Sequence, residues 1–342
     1  MAIGKIVFVG AGAIGGSVAA WTAEKRGEVY CYDRSEVLDA IAAEGIRHYD
    51  GALGPARAAA VKVGILRSLE GLGEDDVLVF GVKNFSLDAV ASEASRATGG
   101  RPFALSMANG LENQSILPRH FGRCAYAVVG YNAWLDAPAF VGWQSRGPLV
   151  LGSPDPAQAR LVAELVAIFA ESLAAEATDR LQDAAHSKLV VNLVNTITTL
   201  VGQGYRPITD IASLQRLVSR TLYEGVRVVE AAGFREYHVG AMPGFSKIRA
   251  AATLPAILTR GMFKKSLAKM VKSSMSQDVI LRGGTVTELE SLTGYIVTLA
   301  EKVGVDAPYN AALLRIARSA FSRPGFRPME PRDLLKAVEA GT

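Results

Sequence analysis

"KIVFVGAGAIGG", residues 5–16, decides the fold of this 342-residue chain. Its first half is an apolar run of strand length. Its second half sets Gly10, Gly12 and Gly15 in G-x-G-x-x-G spacing, directly before the helical pattern of "AIGGSVAAWTAEKRG" (13–27). From Ile6 to Ala23 there is no charged residue, which imitates a signal peptide or a membrane span. The glycines break that run, and Glu24, Lys25 and Arg26 end it. A strand, a tight turn and a helix closing at Gly27 account for it better, and the chain reads as soluble and cytoplasmic. In such a unit the first glycine permits the turn, the second lets a pyrophosphate approach the backbone, and the third lets helix and strand pack closely. Gly10, Gly12, Ala13, Ile14 and Gly15 are therefore candidate dinucleotide contacts, with the phosphate charge at the helix N-terminus.

Working outward, "EVYCYD" (28–33), "DVLVFGVK" (76–83) and "RPFALSMANG" (101–110) read as further buried strands, and "SEVLDAIAAEG" (35–45) as a helix capped by Ser35. Strands alternating with helices predict a doubly wound parallel sheet, an α/β Rossmann domain. Residues 124–152 read as strands without helices between them, an edge or a small antiparallel extension. From about residue 155 the pattern turns helical. The expected organisation is a Rossmann domain over 1–178 and an all-helical domain over 179–342, with Pro324, Pro328 and Pro331 before a last helix near 332–340.

Cofactor choice is read just after the second strand. Asp33 suits a ribose 2′-hydroxyl and so NAD(H); Arg34 suits a 2′-phosphate and so NADP(H). The sequence leaves open which side chain turns inward. Lys83 ends a strand at the cofactor edge and is either a contact or a solvated strand end.

The bulk numbers exclude other classes. Net charge is +4, from 37 basic and 33 acidic residues, which gives no argument for nucleic acid. Four scattered histidines show no metal-ligand spacing. Cys31 and Cys124 lie in apolar segments and read as small core residues.

The second half holds "SKLVVNLVNT" (187–196), an apolar helix interrupted by one lysine and two asparagines. At 100° per residue, with Lys188 at 0°, Asn192 falls near 40°, Asn195 near −20°, Thr199 near 20° and Thr196 near 80°. The apolar residues cover the remaining faces. A solvated face would hold more charge; a narrow stripe of amides and one lysine suits the lining of a cleft. A lysine there is a potential proton donor, tunable by burial.

Taken in order, "VGAGAIG" (9–15), "VK" (82–83), "ANGLEN" (108–113), "KLVVN" (188–192), "SSMSQD" (273–278), "TELESLTG" (287–294) and "APYN" (307–310) make the chain resemble the ketopantoate reductase family over almost its whole length. The resemblance implies a Rossmann domain followed by a helical domain, an active site in the cleft between, and NADPH-dependent reduction of a 2-keto acid. It implies Lys188 as general acid, with Glu288 beside it in the catalytic pair. Asn192 would hold the keto oxygen or the neighbouring hydroxyl, with Asn195 on the same face. Asn109, Ser274 and Glu288 would position substrate and nicotinamide ribose; Arg34 would meet the 2′-phosphate, and Lys83 and Asp33 would lie along the cofactor. Alone, Asn109–Gly110 is a common turn pair, Ser274 a local cap and Glu288 a solvated side chain.

Three departures from the family pattern bear on the substrate. Thr196 and Val271 stand where the family usually has asparagine, and the link from Asp278 to Glu288 is two residues longer. They point to 2-dehydropantoate or a close, less polar analogue. NADP(H) is the preferred cofactor, with NAD(H) left open by Asp33. The expected partner is a small-molecule keto acid, with no nucleic acid, membrane or metal; a homodimer is one option for the assembly. The alternatives are another two-domain NAD(P)-dependent dehydrogenase or imine reductase, and an NAD(P)H-sensing module without chemistry. Arg260, Lys264, Lys265, Lys269 and Lys272, with no acid between Ala250 and Gln277, do not share one helical stripe; they read as a solvated face, the alternative being that they draw anionic cofactor and substrate.

Overall fold

The computed structural model describes residues 3–269, 273–323 and 325–341. Val271, Lys272 and Pro324 lie outside the described residues, as does the side chain of Lys269. The chain forms two compact units, Met1–Ala184 and Ala185–Thr342.

The strands of the first unit, in chain order, are β1 (Ile6–Val9), β2 (Val29–Tyr32), β3 (Ile46–Asp50), β4 (Ala59–Val61), β5 (Gly64–Ile65) and β6 (Val77–Phe80), then β7 (Phe103–Ser106), β8 (Cys124–Val129), β9 (Ala133–Ala137), β10 (Phe140–Trp143), β11 (Leu149–Gly152) and β12 (Ala175–Ala177). Eight of them make one sheet in the order β12-β11-β8-β7-β6-β1-β2-β5. From β5 to β8 every pairing is parallel; β11 joins β8 antiparallel, and β12 joins β11 parallel. All four residues of β1, β6 and β7 are buried, as parallel strands covered on both faces must be. Of the strands expected over 124–152, β8 and β11 pair antiparallel in this sheet, and β9 and β10 pair antiparallel in another.

The remaining strands form a second sheet, β4-β3-β10-β9, which the sequence reading did not anticipate. Its strands are three to five residues long, and β3 and β9 mix charged with apolar residues, so their period is weak. Helix Ala13–Ala23 contacts β1 and β2 of the first sheet and β3, β9 and β10 of the second. This explains why it is apolar all round. Trp21 is fully buried there, edge-on to Trp143 with ring centroids 5.6 Å apart. A Cβ on Gly16 would lie 3.3 Å from Val141, so the small residue lets the second sheet close in. The helix ends at Ala23 rather than Gly27. Helix Ser35–Glu44 takes Arg34 as its N-cap, not Ser35, and no side chain caps it. Cys31 is buried within β2, and burial pushes its thiol up to about 12.

The second unit is helical. Leu181–Asn192, which the division at Ala184 cuts, continues as Val194–Val201 after a break at Leu193, whose N–H reaches Val190 rather than Leu189. The long helix Ile211–Ala231 buries eleven residues. Glu224 from this helix accepts the N–H groups of Tyr309 and Asn310 at 2.9 Å each, and so closes the N-terminus of helix Pro308–Phe321. Pro331 opens the last helix, Pro331–Glu339. Lys264 and Lys265 of helix Ala256–Lys269 are exposed, and so are Ile257, Leu258 and Met262 beside them, so the face is mixed rather than purely basic. Among the described residues, no helix is long and apolar enough to cross a membrane.

Candidate active site

In the first unit, strand register builds one edge. Val9 aligns with Tyr32 and with Phe80, and Phe80 aligns with Ser106. The C-terminal ends of β2, β1, β6 and β7 therefore lie side by side. Within six residues of those ends come Asp33 and Arg34, the glycine turn, Lys83 and Asn109. Four separate sequence motifs are thus brought to the edge where doubly wound sheets bind ligands.

The glycine turn is built as its spacing requires. Gly10 has φ +94°, and Gly15 is so close to it that a Cβ would stand 2.1 Å from the Gly10 carbonyl oxygen. A Cβ on Gly81 would lie 2.5 Å from the same oxygen, so the loop after β6 presses on the turn. At Gly12 a Cβ would meet no protein atom within 4 Å. Gly10 and Gly15 thus serve the packing of the turn, while Gly12 leaves open space at the start of helix Ala13–Ala23. That combination fits a dinucleotide pyrophosphate.

Asp33 and Arg34 differ in surroundings. The Asp33 carboxylate accepts the Ala11 N–H at 2.7 Å and the Arg34 N–H at 2.7 Å. The Arg34 guanidinium is largely exposed and pairs with Glu36 at 3.1 Å. Lys83 is the N-cap of helix Asn84–Thr98, with its ammonium 6.0 Å from the centre of the Phe85 ring. The buried Asn84 side chain donates to the Asn109 carbonyl and ties these two loops together.

In the second unit the structure gathers Lys188, Glu288 and Ser274. Glu288 is buried, and the Ser274 hydroxyl donates to its carboxylate at 3.4 Å. Lys188 is half-buried by surface, yet enough protein surrounds its ammonium to push its pKa down to about 8, against the opposing pull of the Glu288 charge. Asn192 and Asn195 are half-buried. Thr196 and Thr199 are wholly buried and do not extend the stripe. Thr196 shares a hydrogen bond of 2.8 Å with Thr293, and Thr199 donates to the Asn195 carbonyl at 2.7 Å. The break at Leu193 changes the helical phase, so an unbroken 100° count does not carry past it.

Sequence reasoning missed four residues around these groups. Ser273, not Ser274, caps the short helix Ser274–Ser276 by accepting the Ser276 N–H. Thr293 lies in the π-helical turn Glu290–Gly294, which begins two residues after Glu288; π-helical bulges recur at functional sites. Asn84 follows the "VK" motif directly, and a short polar residue opening an apolar helix was the available signal. Glu36 lies two residues beyond Arg34.

Residues 6–156 match the family model "Ketopantoate reductase PanE/ApbA", and residues 180–320 match "Ketopantoate reductase PanE/ApbA C terminal". The 2-dehydropantoate 2-reductase of Archaeoglobus fulgidus is 25% identical over 326 residues, covering 94% of this chain and 99% of the relative. That of Pyrococcus abyssi is 24% identical over 311 residues, covering 90% and 95%. Among solved structures, a PanE/ApbA family ketopantoate reductase from Ralstonia eutropha superposes with TM-score 0.73 at 24% identity, covering 93% of this chain and 100% of that one. D-mandelate dehydrogenase with NADH and anilino(oxo)acetate superposes with TM-score 0.73 at 18% identity, covering 96% and 99%. At these identities the structural likenesses speak for the fold alone.

Proposed function

The chain belongs to the ketopantoate reductase family of NAD(P)-dependent oxidoreductases, and from that premise we propose that it reduces a 2-keto acid, 2-dehydropantoate or a close analogue, to the 2-hydroxy acid with NADPH. The observation that carries this reading is the Lys188–Glu288–Ser274 group. A sensing module needs the dinucleotide edge and has no use for a lysine tuned towards neutrality.

Gly10, Gly12, Ala13, Ile14 and Gly15 would hold the pyrophosphate, and Asp33, Arg34, Lys83 and Asn109 the remainder of the dinucleotide. A nicotinamide dinucleotide held there would supply the hydride that reduces the keto carbon. As charge develops on the keto oxygen, Lys188 donates a proton from Nζ, and the product is the hydroxy acid. With a pKa of about 8 the side chain is roughly nine-tenths protonated at pH 7 and is a better donor than an ordinary lysine. Glu288 keeps the buried ammonium charged until the transfer. Ser274 orients Glu288, and Asn192 and Asn195 offer amide donors to the substrate oxygens, where preplaced dipoles favour the developing charge. Lys188 regains its proton from solvent before the next cycle.

One observation favours a narrower reading of the substrate. The Thr196 hydroxyl is buried against Thr293 and offers the keto acid nothing. A less polar acid than 2-dehydropantoate fits that loss. The test is a panel of 2-keto acids, 2-dehydropantoate included, followed by oxidation of NADPH and of NADH. Turnover of 2-dehydropantoate supports the first reading, and turnover of another acid alone supports the narrower one. Turnover of none overturns the reaction.

A further inference from the structure

Glu36, two residues beyond Arg34, is an acid with no part in the cofactor contacts above. Asp33 is committed to structure: one carboxylate oxygen takes the Ala11 N–H and the other takes the Arg34 N–H, which fastens the glycine turn to β2. Arg34 is then the cation left for a 2′-phosphate. Its nearer ionic partner is Glu36, at 3.1 Å from Nη2 to Oε1, against 3.9 Å from Nε to Asp33. Glu36 stands in the first turn of helix Ser35–Glu44, where an acid also complements the helix dipole. Its side chain is 62% exposed and that of Arg34 is 78% exposed, so both can reorient as the cofactor arrives.

A 2′-phosphate brings about two negative charges to Arg34 and must either displace Glu36 or sit beside it. A 2′-hydroxyl brings none and leaves the pair intact. We propose that Glu36 is a specificity-determining residue, one that competes with the 2′-phosphate for Arg34 and so narrows the margin of NADPH over NADH. The inference rests on the dinucleotide reading above and deepens it: the site accepts both cofactors, and one exposed carboxylate sets the balance between them.

Binding of adenosine 2′,5′-bisphosphate and of 5′-AMP to the full-length protein, measured by calorimetry at low salt, tests this without turnover. Glu36→Gln should tighten the bisphosphate about tenfold, the scale of one charge removed near a dianion at a wet surface. Binding of 5′-AMP should move by less than about twofold, since it has no 2′ charge to repel. In an Arg34→Ala background the gain from Glu36→Gln should disappear. Bisphosphate binding unchanged in Glu36→Gln overturns the proposal, as does equal tightening of both nucleotides or a gain that survives Arg34→Ala. A protein that shows the expected shifts yet reduces no keto acid loses the proposed reaction and keeps this inference. One that reduces a keto acid without the shifts does the reverse.

Discussion

Lys188 is a cation that burial works to neutralise and Glu288 works to keep. If it is the proton donor, its charged form is the active one. The rate should then be flat below about pH 8 and fall roughly tenfold for each further pH unit, as the ammonium loses its proton. Glu288 raises the lysine's pKa, so Glu288→Gln should move that falling limb to lower pH. A limb that stays in place, read from kcat against pH, would remove Glu288 as the partner. Lys188 stood out in the sequence as the one charge in an apolar helix, whereas Ser274 and Glu288 came only from the family resemblance, because alone each reads as a local cap or a solvated side chain. The roles of Thr196 and Thr199 were not legible, because the break at Leu193 and the Thr196–Thr293 bond are tertiary facts that an ideal helix does not contain. The division of labour between Asp33 and Arg34 was hidden for a similar reason: it depends on an N–H from Ala11, twenty-two residues earlier.

The glycine turn separates two functions that its motif merges. Gly15 has no room for a Cβ and Gly12 has ample room. Gly12→Ala should therefore fold with a melting temperature close to that of the unaltered chain but bind NADPH weakly, whereas Gly15→Ala should be destabilised by several kcal/mol through overpacking against backbone. Thermal unfolding and NADPH titration of the two variants check this, and loss of stability in Gly12→Ala would refute the assignment. The main sheet was readable because its inner strands are continuous apolar runs bounded by glycine and charge. The second sheet escaped because strands such as "IRHYD" (46–50) carry no clean period, and only the packing of helix Ala13–Ala23 against β9 and β10 reveals it.

At the scale of the molecule, each unit carries one half of the proposed chemistry, the dinucleotide edge in the first and the proton donor in the second. The helical unit depends on a buried charge of its own. The Glu224 carboxylate serves two backbone donors and the Asn310 amide at 2.8 Å. Glu224→Ala would leave these donors unserved at a cost of about 3 kcal/mol, which should speed hydrogen exchange at Tyr309 and Asn310 roughly a hundredfold. Unchanged protection at those amides would show that the carboxylate is dispensable. The reaction itself is tested most directly by Lys188→Ala, with turnover of the best keto acid and affinity for NADPH measured on the same preparation. If Lys188 protonates the keto oxygen, kcat falls by about a thousandfold while NADPH affinity stays within about twofold. Near-normal turnover with intact cofactor binding would contradict it.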